Sequence, residues 1–223
     1  MKTKSAPAQR SQHRSITWLK VLLWALCLTP LGLLVWRGFQ GKLTANPLEF
    51  IQHKTGFWAL TLIMVTLSIT PLRRITGWNR IIQLRRPLGL FAFFYATLHF
   101  LTYLVFDQFF DFAAIIDDIA KRPYITVGFP AFVLLIPLAI TSTKGWIRRL
   151  GKRWQLVHRL VYVSSTLAVL HFFWKRSVKE DVFEPLVFAG ILACLLAFRL
   201  ARGRGAELLR ALLRRRSGEL AEN

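Results

Sequence analysis

Acidic residues are scarce. The chain holds 11 Asp and Glu against 31 Lys and Arg, and none lies in the interior of its apolar blocks. That excludes an intramembrane relay of proton-carrying carboxylates. Cysteine is almost missing. Cys27 and Cys194 lie in separate apolar blocks, which excludes a disulfide framework and a cysteine-rich metal cluster. Both are expected to pack as small buried hydrophobes. Extended polar stretches are also few: 54% of the residues are hydrophobic, gathered into long blocks, so an ordinary soluble domain is excluded. A net charge of +20 could suit nucleic acid. However, the basic residues fall between apolar blocks rather than along one soluble face, which excludes that reading.

What is present is a set of six apolar blocks at about 16–36, 56–72, 88–106, 124–142, 154–173 and 182–200, each near the twenty or so residues that cross a bilayer as helix. They predict an all-α, six-helix transmembrane bundle over 16–200, between basic tails at 1–15 and 201–223. The second block is the shortest and is expected to extend backward toward His53. Pro30, Pro71, Pro130 and Pro137 fall in or at the ends of spans, where proline is tolerated. The first block is too long for a typical cleaved leader, and no A-x-A site follows it.

Charge orients the bundle. The N-terminal tail, the 73–87 and 143–153 loops and the tail from Arg199 together carry 21 basic residues and three acids, Glu207, Glu219 and Glu222. The positive-inside rule puts these segments and both termini in the cytoplasm. The 107–123 loop, with Asp107, Asp111, Asp117 and Asp118, then faces outward. Trp18, Trp146 and Trp154 fall at the inner edge and Trp36, Trp58 and Trp174 at the outer edge, as interfacial rings do. The segment "ELLRALLRRR" reads either as a basic amphipathic helix on the inner leaflet or as a solvated tail.

Five histidines remain. His13 sits in the polar tail and is given no role. His53 is expected at the outer mouth of the second span, either as an interfacial residue or in contact with a quinone, cofactor or partner. His99, His158 and His171 lie within spans, and an ionisable group there is a functional candidate. Neutral imidazole is a good axial ligand for haem iron. With 100° per residue, Gly89, Ala92 and Ala96 share the stripe of His99, and Ser164 and Ala168 share that of His171. Both faces are slim enough for a macrocycle to approach. We therefore pair His99 with His171 as iron ligands on the outer side.

On an ideal helix His158 stands about 20 Å from His171 in height, so the two cannot serve one haem. His158 is either a ligand of a second, inner haem or a polar anchor. A second bis-histidine site would want an imidazole where Arg85 and Arg86 stand. Those arginines could instead hold propionate, phosphate or lipid headgroups.

The run "TSTKGWIRRLGKRWQLVHRLVY", with "LGLFAFFYATLHF" before it and "LHFFW" after it, resembles the ferric-reductase-like transmembrane family. "WLK", "IQHKTG", "LSITPL" and "RPYITVG" extend the likeness over nearly the whole chain. The resemblance is more specifically to haem-binding membrane subunits of bacterial methionine-sulfoxide reductase systems. It implies a multi-pass protein of the inner membrane with b-type haem at His99, His158 and His171, and no stand-alone catalytic site. Electrons would come from the quinol pool, or from a cytoplasmic flavin reductase through FMN. They would pass to a periplasmic molybdopterin reductase that repairs oxidised methionines. Larger members of the superfamily carry a flavin and nicotinamide domain. The residues after the sixth block contain no G-x-G-x-x-G, so a separate donor is expected, with the basic inner loops as the place for an FMN phosphate.

Two other functions compete. One is a self-sufficient ferric or quinone reductase of the inner membrane. The other is a small transporter or scaffold without a cofactor, which the lack of an inverted repeat disfavours.

Overall fold

The computed structural model describes the backbone of residues 6–177 and 181–219, and the side chains of residues 17–177 and 181–201. It contains helices α1 (Ala6–Phe39), α2 (Pro47–Thr76), α3 (Arg85–Thr102), α4 (Phe112–Lys121), α5 (Pro123–Ile140), α6 (Lys144–Leu150), α7 (Arg153–Val157), α8 (Leu160–Ser177) and α9 (Phe183–Glu219). Among the described residues there is no strand. Six segments are long and apolar enough to cross a membrane: Thr17–Phe39, Pro47–Thr76, Asn79–Asp107, Pro123–Ile140, Arg153–Ser177 and Phe183–Ala201. The side chains of both basic tails lie outside the described residues, so the amphipathic reading of the C-terminal one is not addressed.

Local chemistry sets the helix ends. Asn46 caps α2 by accepting from the Glu49 N–H at 3.2 Å, and Pro47 occupies the first turn, where its missing N–H costs nothing. That start lies upstream of His53, as expected. Gly77, at φ 69°, ends the helix in the left-handed conformation that L side chains resist. Two differences from the sequence reading bear on the site. The acidic 107–123 segment, expected as a plain loop, carries α4, capped by the Asp111 carboxylate on the Ala113 and Ala114 N–H groups. The fifth span is not one helix either. It breaks at His158 and Arg159, between α7 and α8, so His158 sits in a turn rather than on the helix that carries His171.

α2 runs through the centre, and Leu60, Ile63, Met64 and Leu67 are buried. It packs on α3, while α5 packs on α8. Around this core the outward faces remain apolar, with Leu26, Val65, Val163 and Leu186 exposed, as lipid-facing surfaces are. Cys27 is buried and Cys194 exposed, and both thiols are free. α1 is joined to the core by Tyr95 of α3. Pro30 interrupts the α1 ladder, and the Tyr95 hydroxyl inserts there. It donates to the Cys27 carbonyl at 2.7 Å and accepts from the Leu31 N–H at 3.1 Å. The two ends of the bundle differ in charge: every Asp and Glu whose side chain is described lies at the α4 end, here the acidic end, where basic residues balance them, and α6 with the 73–87 segment forms a basic end.

Candidate functional site

α2 and α3 together build one half of the site. His99 of α3 lies against the backbone of α2, and its Nδ1 meets the Gln52 carbonyl oxygen at 2.9 Å. The approach is possible because residue 56, one turn further along, is glycine: a Cβ there would lie 3.0 Å from His99 Nδ1. α5 and α8 repeat the arrangement. His171 Nδ1 meets the Tyr124 carbonyl oxygen at 2.7 Å, and a Cβ on Gly128 would lie 2.5 Å from that nitrogen. A carbonyl only accepts, so each Nδ1 carries the proton. Each Nε2 is then left with a lone pair, the tautomer that binds a metal.

The two rings meet across the space between the helix pairs, with centroids 6.0 Å apart and planes at 77°. A metal–imidazole bond is about 2.0 Å; adding the half-width of each ring, two imidazoles on opposite sides of one metal have centroids roughly 6 Å apart. No group of three or more His, Cys, Asp or Glu able to hold a metal ion exists among the described residues. Two opposed imidazoles alone suit a metal already held on its other sides, as iron is in a porphyrin. The cavity around them has a volume of about 230 Å³. Small residues flank both rings on the four surrounding helices: Gly56, Ala96, Gly128 and Ala168.

These parts form an internal repeat. Gln52 and Tyr124, Gly56 and Gly128, Ala96 and Ala168, and His99 and His171 are each 72 residues apart, and all line the cavity. Each histidine follows its carbonyl by 47 residues. The repeat is parallel, because α2 and α5 both start at the acidic end. The sequence reading missed Gln52, Gly56, Tyr124 and Gly128; aligning the chain with itself at that offset finds them. It also placed the slim stripe of α3 only partly right. Ala96 faces the cavity, but Gly89 packs on Thr66 of α2 and serves helix contact instead. On α8 both Ser164 and Ala168 line the cavity as expected.

His158 is not brought to this pair. Its ring stacks on Trp154 at 3.9 Å, and its Nε2 lies 3.2 Å from the Thr141 hydroxyl. His53 stands at the acidic mouth of the cavity, 3.6 Å from Glu184, a carboxylate in the first turn of the sixth span. Arg176 joins this cluster, bonded to Asp181 and 3.6 Å from Glu184.

α4 closes the acidic mouth. Ile115 and Ile119 line the cavity, and Asp118 ties the helix down. Its carboxylate accepts from Gln108 at 2.6 Å and from Tyr103 at 3.3 Å, and pairs with Arg122 at 3.2 Å. Tyr103 begins a π-helical turn directly after α3, a local departure frequent at functional sites.

A family model described as ferric reductase like transmembrane component matches residues 55–170. A relative from Herminiimonas arsenicoxydans, named protein-methionine-sulfoxide reductase heme-binding subunit MsrQ, is 54% identical over 185 residues, covering 82% of this chain and 85% of the relative. The chain belongs to the MsrQ family of ferric-reductase-like membrane proteins. An MsrQ from Ralstonia nicotianae is 50% identical, with 83% of this chain and 86% of that one covered. One from Bordetella parapertussis is 47% identical, covering 90% and 98%. No solved structure matches the chain. Six apolar spans and membership of a transmembrane family make this MsrQ-family chain a multi-pass membrane protein.

Proposed function

We propose that the chain is the haem-bearing membrane subunit of a bacterial protein-methionine-sulfoxide reductase system. In this reading it takes electrons from the quinol pool, or from a cytoplasmic flavin reductase through FMN, and passes them across the inner membrane. The acceptor is a periplasmic molybdopterin subunit, MsrP, which repairs oxidised methionines. The basic end faces the cytoplasm and the acidic end the periplasm, by the positive-inside rule.

One observation carries the haem assignment: two imidazoles 6.0 Å apart, each with Nδ1 tied to a backbone carbonyl on a neighbouring helix. The bound haem would supply one-electron chemistry at a potential set by its ligands and burial. His99 and His171 would hold its iron from both sides, leaving no open position for oxygen. Gln52 and Tyr124 fix the ring orientations, so the ligands need not move when charge changes. Lys175 lines the cavity and lies 4.8 Å from the centroid of the Tyr124 ring. Unlike Arg122 and Arg176, it has no carboxylate contact among the described residues, which suits it to a propionate.

The test is direct. The chain, isolated gently from cells with ample haem supply, should show a Soret band, and His99→Ala and His171→Ala should each lose most of it. A colourless preparation, or full haem retention in both variants, sinks the assignment.

A further inference from the structure

The internal repeat fails at the basic end, where the residue 72 positions before His158 is Arg86. Arg85 and Arg86 open α3 with no acid in that first turn. This is the helix end at which the macrodipole favours anions, not cations. Arg199 reaches the same region from α9. Its guanidinium lies over the Tyr162 ring at 4.8 Å, and one terminal nitrogen is 3.5 Å from the Leu67 carbonyl oxygen. Its Nε is buried with no hydrogen-bond partner among the described residues. Gly89, one turn after Arg85 on α3, packs on Thr66 of α2, the residue before the Leu67 that Arg199 meets, so both arginines stand beside the same stretch of α2. Arg85 and Arg199 are both half-buried. Neither forms an ion pair among the described residues, whose ion pairs all lie at the acidic end.

Neighbouring cations withdrawn from water repel one another and lose hydration, so the arrangement needs an anion. Guanidinium forks match the oxygens of a phosphate, and stacking on an aromatic ring sets the plane of the fork. We propose that Arg85 and Arg199 clamp a phosphate group at the basic end of the bundle, with Tyr162 backing Arg199. The phosphate comes either from an anionic phospholipid of the adjoining leaflet, since basic pockets between spans hold such headgroups, or from a soluble phosphate ester such as FMN. The site does not depend on the haem reading.

The full chain, reconstituted in nanodiscs, tests this in two arms. In the first, thermal melting is compared between phosphatidylcholine alone and phosphatidylcholine doped with phosphatidylglycerol. In the second, FMN and riboflavin, which differ by the phosphate, are titrated in neutral nanodiscs by fluorescence quenching. A rise in melting temperature with phosphatidylglycerol marks the lipid source. A preference for FMN over riboflavin of about tenfold or more, as charge-assisted hydrogen bonds provide, marks the soluble source.

Whichever response is seen should vanish in Arg85→Gln/Arg199→Gln and weaken in Arg199→Lys, which keeps the charge and guards against misfolding. It should survive Lys144→Gln/Arg148→Gln, which removes equal charge from exposed α6. No response of the wild type in either arm overturns the proposal. So does a response that persists in the double variant, or a fall in haem-to-protein ratio in Arg199→Gln with both arms silent, which would assign the cations to haem carboxylates.

Discussion

A methyl group on Gly128 would sit 2.5 Å from His171 Nδ1, closer than real Cβ contacts allow. The imidazole therefore occupies the volume that any other residue at 128 would fill. Gly56 stands in the same relation to His99, but less tightly, at 3.0 Å. The carbonyl bonds follow the same order, 2.7 Å to Tyr124 and 2.9 Å to Gln52. Of the two imidazoles, His171 has the less freedom.

Gly128→Ala should consequently do more harm than Gly56→Ala. The added methyl pushes the His171 ring off the Tyr124 carbonyl, removing the bond that fixes its tautomer. Loss of such an outer contact weakens metal binding by about tenfold or more. We expect Gly128→Ala to lose most bound haem or show a high-spin spectrum, and Gly56→Ala to retain more. Equal haem content and identical low-spin spectra in both variants would contradict the positioning role.

The planes of His99 and His171 stand at 77° to each other. Perpendicular axial imidazoles do not split the iron d orbitals that parallel ones split. The ferric protein should then give a strongly anisotropic low-spin electron paramagnetic resonance signal. Gly56→Ala, by pushing the His99 ring off the Gln52 carbonyl, should turn the ring and move that signal toward the less anisotropic type. A wild-type signal of the less anisotropic type would mean that the rings turn parallel around iron.

His158 separates two roles. With Trp154 on its face and Thr141 at Nε2, it has the surroundings of an anchor for the turn between α7 and α8. An inner haem there would need Thr141 to release that nitrogen. The haem-to-protein ratio in His158→Ala should match wild type, while the melting temperature falls. A reduced ratio with unchanged His99–His171 spectra would instead make His158 a ligand of a second haem.

Much of this was legible in the sequence because hydropathy, charge and intramembrane histidine are local signals. The six spans follow from them, while the family rests on runs such as "LGKRWQLVHRLVY"; helical stripes led to the pairing of His99 with His171, whose rings the structure brings together. The glycines were not legible, because Gly56 and Gly128 act on rings from other helices, 43 residues away in each case. α4 was hidden by its acids: Asp111 is a cap and Asp118 a buried latch, yet both read as loop charge. The Tyr95 contact with α1 crosses 68 residues and has no periodic trace.

Asp118→Ala should loosen α4 without dismantling the histidine pair. It leaves Gln108 and Tyr103 without their acceptor and Arg122 without its partner. Because Arg122 is half exposed, water offsets part of the loss, and a cost of about 1–2 kcal/mol is reasonable. Hydrogen exchange over residues 112–121 should accelerate while the haem spectrum persists. Unchanged exchange would show that Ile115 and Ile119 alone hold the helix down.

Tyr95→Phe tests how the first span is held. The ring is 1% exposed, and phenylalanine keeps its shape, so only the hydroxyl is lost. That hydroxyl serves both the Cys27 carbonyl and the Leu31 N–H, i and i+4 partners in the turn that holds Pro30, where the missing proline N–H weakens the helix's own ladder. In an apolar setting each unmatched group is costly, although measured hydrogen bonds between membrane helices average only about 0.6 kcal/mol. Two groups orphaned together should bring the loss to about 1–2 kcal/mol, read as a lower melting temperature in detergent. Haem spectra should not change, since Tyr95 does not line the cavity. Replacing Pro30 by Ala lets the ladder close on itself, so Tyr95→Phe should then be nearly harmless. If the substitution is equally damaging with Ala at position 30, the hydroxyl acts through packing and not by bridging the broken turn.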